Sequence, residues 1–104
     1  MNQPRIDLLE KFIEEDPSDP FNYYALALEY LQTNPNKAIE LFDEILINHP
    51  DYFPVYYIAG TLFVELANEA KALEILHKGV ELAKRKSDFK TLRELKSAIQ
   101  NLDS

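Results

Sequence analysis

Tyr23-x2-Leu26-Ala27-x2-Tyr30, followed by Ala38-x3-Phe42 and Pro50, returns along the chain as Tyr56-x2-Ala59-Gly60-x2-Phe63, followed by Ala72-x3-Leu76. The offset is 33 residues for the first block and 34 for the second. Tyr23, Leu26, Ala27 and Tyr30 fall at i, i+3, i+4 and i+7, which places them on one stripe of a helix. Ala27 and Gly60 occupy the same place in the two stripes, and a small residue there lets a partner helix approach closely. Glycine costs about 1 kcal/mol relative to alanine inside an exposed helix, so Gly60 points to compensation by close packing. On the following helices Ala38, Phe42 and Ile45 are expected to face Ala72, Leu76 and Gly79, small against large.

Outward from these blocks the chain reads as helix throughout. Its two glycines lie inside helical patterns and no β-branched alternation occurs. Prolines punctuate it. Pro4, Pro20, Pro35 and Pro54 stand where first helical turns begin, with Gln3, Asp19, Asn34 and Asp51 at or near the caps, while Pro17 and Pro50 close the helices before them. Six helices are predicted, near 4–15, 20–33, 35–48, 52–67, 69–86 and 88–102. The first carries the apolar face Ile6, Leu9, Phe12 and Ile13. It ends at Glu15-Asp16-Pro17 as a later helix ends at Asn48-His49-Pro50, 33 residues on. Phe89, Leu92, Leu95, Ile99 and Leu102 make a stripe on the last helix, with no small residue in the place of Ala27 or Gly60.

This order of large, small and aromatic positions resembles the tetratricopeptide repeat, a helix-turn-helix unit of about 34 residues. The resemblance covers about 85 residues. It implies an all-α fold, a right-handed superhelical stack of antiparallel helix pairs in a single domain over 1–104. A half-repeat helix occupies 4–17, one repeat 20–50, a second 53–86, and a capping helix 88–102. Two departures are visible. The first unit is one residue short between Tyr30 and Ala38, and the second has Lys84 where Pro50 would recur, so its second helix is predicted to run on through Arg85.

Composition narrows the function classes. No cysteine occurs, which excludes disulfides, thiolate metal sites and cysteine nucleophiles and suits a reducing compartment. The N-terminal stretch has neither a basic region nor an uninterrupted apolar run, so no secretory signal is read and a cytoplasmic location is expected. The formal charge is −7, and all of it lies in residues 1–50, where ten acids meet Arg5, Lys11 and Lys37. Such a surface repels phosphate backbones, so neither nucleic acid nor membrane is expected as a partner. The basic run Lys84-Arg85-Lys86 with Lys90, Arg93 and Lys96 reads as a solvated face near a helix C-terminus.

Catalytic signals are lacking. Glu14, Glu15 and Asp16 sit at a surface helix end with nothing apolar to raise a pKa. His49 and His77 have no ligand partner at helical spacing, and no phosphate loop, Gly-x-Ser-x-Gly or His-Glu-x-x-His motif occurs. No catalytic residue, cofactor or metal is expected, and the chain is not read as an enzyme.

The resemblance places the first helix of each unit on a concave surface, where Tyr24, Leu28 and Leu31 of one unit and Tyr57, Thr61, Val64 and Glu65 of the next become candidate partner-binding residues. Tyr24 and Tyr57 are equivalent, and two tyrosines one unit apart can grip a protein segment, or else pack on a neighbouring helix. Phe21 and Phe53, at the helix starts, either extend the groove or act as staples. Chaperone-binding members of the family clamp acidic C-terminal peptides with cations and asparagines on these helices. Here the places hold Tyr24, Leu28, Tyr57, Thr61 and Glu65, so such tails are not expected to bind tightly. Glu29 and Glu65 favour an apolar or basic segment instead. The expected activity is a non-catalytic adaptor for a protein or peptide, the alternative being self-association through apolar or end faces.

Overall fold

The computed structural model describes residues 2–103; Met1 and Ser104, the last of the serines in the chain, lie outside them. Six helices follow one another: α1 (Gln3–Glu15), α2 (Pro20–Tyr30), α3 (Pro35–Asn48), α4 (Val55–Glu65), α5 (Glu69–Lys86) and α6 (Phe89–Asp103). Among the described residues there is no strand, and no helix is long and apolar enough to cross a membrane.

The helix starts follow the sequence closely. Asp19 accepts from the Phe21 amide at 3.0 Å and Asn34 from that of Lys37 at 3.3 Å, each just before a proline that occupies the first turn. Each such cap satisfies a donor the helix leaves unpaired and contributes about 1 kcal/mol. At α1 the cap is Asn2, which accepts from Arg5 at 3.1 Å, rather than Gln3, whose side chain donates to Asp7. Two boundaries differ from expectation. α2 stops at Tyr30, and Leu31–Thr33 form a turn closed by the Thr33 and Asn34 amides, which both donate to the Tyr30 carbonyl. The other stands beside a proline, which bars the residue before it from helical geometry. Phe53 precedes Pro54, so α4 begins only at Val55, three residues later than predicted, and Asp51 caps nothing; Pro54 itself holds the cap position without a side-chain bond.

The ends of α4 and α5 share a device that the sequence pattern does not display. Ala67 and Ser87 both adopt left-handed backbone, at φ 60° and 55°. The Ala67 and Asn68 amides donate back to Val64 and Phe63, and the Ser87 and Asp88 amides to Lys84 and Ala83. This double closure of the last turn normally uses glycine. The next residue in each case, Asn68 or Asp88, accepts from Lys71 or Thr91 and starts the following helix, so each turn is short and the helices it joins run antiparallel.

The chain divides into two compact units at the Tyr52–Phe53 boundary. In the first unit α2 lies between α1 and α3. Ile6, Leu9, Ala25, Leu26, Ala27, Ala38, Leu41, Phe42 and Ile45 are buried, and Arg5 Nε meets Glu29 at 2.8 Å across α1 and α2. In the second unit α5 lies between α4 and α6. Leu76, Val80, Ala83 and Leu95 form a core against which Phe53, Leu92, Ala98, Ile99 and Leu102 pack. Here the two glycines act. A methyl group on Gly60 would lie 2.5 Å from Leu76 Cδ2 and 2.7 Å from its Cγ, and one on Gly79 would lie 2.9 Å from Tyr56 Cβ and 3.2 Å from Leu95. Both are therefore points of close helix approach, α4 to α5 at Gly60 and α5 to α4 and α6 at Gly79.

Two stability outcomes follow from these contacts. Gly60→Ala drives its methyl into the fully buried Leu76 and is expected to destabilise by about 1–3 kcal/mol, overriding its better helix propensity, as read by denaturant titration. Ala67→Gly and Ser87→Gly relieve left-handed strain and are each expected to stabilise by up to about 1 kcal/mol, raising the melting temperature.

Candidate functional site

In the second unit α4 and α6, held parallel by the antiparallel α5 between them, leave a groove of about 520 Å³. Tyr57, Thr61, Val64 and Glu65 form one wall, and Arg93, Glu94, Ser97, Ala98, Asn101 and Leu102 the other. The helical period produces the first wall directly. Residues 57, 61, 64 and 65 lie three to four apart, offset from the stripe Tyr56, Ala59, Gly60 and Phe63 that is buried. The Tyr57 side chain is exposed. Thr61 Oγ1 donates to the carbonyls of Tyr57 and Ile58 at 2.9 and 3.1 Å, which ties its hydroxyl to the α4 backbone. Glu65 and Glu94 against Arg93 give the lining one net negative charge.

All four second-unit candidates therefore lie on one wall of the same groove. The α6 wall was not among them, although the repeat offset carried the signal. Glu94, Ser97 and Ala98 lie 33 residues beyond Thr61, Val64 and Glu65, and reading α6 only as a cap passed over its inner face.

The first-unit candidates are differently placed. Tyr24 meets Tyr52 edge to face, ring centroids 5.7 Å apart at 61°, an arrangement that the ring quadrupoles favour. Burial pushes the Tyr24 phenol above its usual pKa, and burial together with Tyr24 and Asp19 does the same to Tyr52. Tyr24 thus packs where its counterpart Tyr57 is open. Tyr23 donates its hydroxyl to the Pro17 carbonyl at 3.0 Å and its pKa is raised by burial, then by Glu44 and Asp16. Leu28 is exposed on α2 and Leu31 half-buried at its end. Glu29, expected to attract a basic partner, is paired with Arg5 Nε at 2.8 Å. Phe21 is exposed, whereas Phe53 packs against the core of the second unit. Among the described residues no group of three or more acids and histidines is placed to hold a metal ion.

No protein-family model matches the sequence, and no curated protein does. Solved structures do. The crystal structure of a tetratricopeptide repeat domain protein from Salinibacter ruber shares 36% identity over 82% of this chain and 96% of that one, with a TM-score of 0.76. A solution structure of a tetratricopeptide repeat domain protein from Salinibacter ruber shares 39% identity over 80% of this chain and 85% of that one, at a TM-score of 0.74.

The chain belongs to the tetratricopeptide repeat family.

By sequence offset α2 and α3 correspond to α4 and α5, α1 to α3, and α6 to α4. In this tetratricopeptide repeat protein the groove lies between α4 and its counterpart α6, which must be held firmly for the wall to persist. Asp88 does part of this: Oδ1 accepts from the Thr91 amide at 3.1 Å and Oδ2 from its hydroxyl at 2.9 Å. The amide bond, then the hydroxyl, hold the Asp88 carboxyl below its usual 3.8.

A group whose folded pKa is depressed stabilises the fold above its unfolded pKa and loses that contribution as pH falls through the folded value. Asp88→Ala is accordingly expected to melt below the wild type at neutral pH. The difference narrows as pH drops from 3.8 toward the lower folded-state value, and thermal melts across that range check it.

Proposed function

We propose that the chain is a non-catalytic protein-interaction module that holds a segment of another protein in the groove between α4 and α6. The observation that carries this reading is the convergence of Tyr57, Thr61, Val64 and Glu65 with the inner face of α6 around one groove, the family's helix pairs supplying the frame. The groove has the makings of a recognition site. It offers an exposed tyrosine at low entropic cost, apolar area from Val64, Ala98 and Leu102, and the polar groups of Ser97 and Asn101. The wall is built on helices whose packing is fixed by Gly60 and Gly79, so little ordering is needed on binding.

The lining also bears on the partner's chemistry. A clamp for an acidic tail needs converging cations, and Arg93 stands among Glu65 and Glu94. An apolar or basic segment suits this groove better than an acidic one. On the first unit taken by itself, the exposed Leu28 with the half-buried Tyr24 and Leu31 makes a second, smaller candidate surface for a partner.

A Tyr57→Ala, Thr61→Arg variant removes the anchor and fills the groove with a charged side chain. Provided circular dichroism and melting show it folded, it is expected to lose at least about tenfold in affinity for any partner that the wild type retains from its native cell extract. Equal retention by both would rule the groove out as the site.

A further inference from the structure

Second helices of repeats in this chain carry corresponding residues, yet one face of α1 is treated differently. Leu41 and Ile45 of α3 are 8% and 0% exposed, and Ile75 of α5, corresponding to Leu41, is 2% exposed. Their counterparts on α1, Leu8 and Phe12, are 50% and 39% exposed. The neighbouring position does not share the difference: Leu9, like Phe42 and Leu76, is buried. The difference is confined to the face of α1 that carries Leu8 and Phe12. At its end Arg5 stands where α3 and α5 have the buried Ala38 and Ala72.

Read along the helix, this face is Arg5, Leu8, Phe12 and Glu15, at intervals of three, four and three residues. That is the spacing of a seam between paired helices. The stripe is also its own complement. An antiparallel copy centred on residue 10 brings Leu8 against Phe12 and Arg5 against Glu15, so one two-fold axis satisfies all four positions. We propose that two copies of the chain associate through α1 in this antiparallel manner.

The second copy is the occupant because the pattern requires an apolar pair flanked by one cation and one anion in reversed order, which α1 itself supplies. Arg5 is available for it. Its contact with Glu29 is made through Nε, one of several donors on the guanidinium, and its side chain is 60% exposed. Two features keep the association weak. A single helix face buries less than the roughly 800 Å² per partner of a standard interface. Residues 1–52 carry eleven acids against three bases, so copies repel unless salt screens them.

The test is sedimentation equilibrium at moderate ionic strength, from micromolar protein to about 1 mM, the range where weak contacts show. The wild type is expected to pass from monomer to dimer, and Phe12→Ser to weaken this at least about tenfold. Arg5→Glu and Glu15→Arg are each expected to weaken it, and an equimolar mixture of the two to recover it, because every like-charged pair becomes an opposite pair. Circular dichroism checks folding, and Glu15→Arg with Phe12→Ser carry the test if Arg5→Glu disturbs α1 beside Glu29. A monomer at every concentration, a dimer indifferent to Phe12→Ser, or a mixture of folded variants that fails to recover association would overturn the proposal.

Discussion

The approach of α4 to α5 at Gly60 is the constraint on which the second unit rests. Leu76 sits where a β-carbon on residue 60 would have to be, and its other side faces Val80, Ala83 and Leu95 in the core beneath α6. One side chain thereby joins all three helices. Gly79, a few residues along α5, brings Tyr56 and Leu95 close to its backbone and repeats the arrangement. With α5 held on both sides, the separation of α4 and α6 is set, and with it the width of the groove. The site is thus a consequence of packing around α5.

The first unit is assembled on the same plan with different materials. Ala27, fully buried, takes the place of Gly60, and α2 takes the central position that α5 occupies in the second unit. Its surface is put to different use. Tyr24 is engaged by Tyr52 and Glu29 by Arg5, so two residues with the character of binding groups are spent on the unit's own structure. Near-identical sequence positions thus separate into packing and recognition according to what happens to lie beside them.

Much of the architecture was legible in the sequence because it depends on local rules. Helical periodicity located all six helices, and Asp19-Pro20 and Asn34-Pro35 marked helix starts to the residue. The repeat pointed to the buried stripes, and the family resemblance singled out Tyr57, Thr61, Val64 and Glu65, which line one wall of the groove. What escaped had a tertiary or conformational origin. The left-handed turns at Ala67 and Ser87 carry no glycine to announce them, and the late start of α4 reflects the restriction that Pro54 places on Phe53. The α6 wall depends on which helices meet, and the capture of Tyr24 on where the α3–α4 connection places Tyr52. The repeat pattern reports which face of a helix is buried, and it says less about which open face borders a cavity.

The central claim, that the α4–α6 groove recognises a protein segment, is tested most directly by displaying a random peptide library against the folded chain and mapping the selected peptide by amide shift changes in an isotope-labelled sample. The account predicts shifts concentrated at Tyr57, Thr61, Val64 and Glu65 and along residues 93–102, with Glu74, His77 and Glu81 on α5 unmoved. Shifts confined to α5, or to the first unit alone, would contradict it.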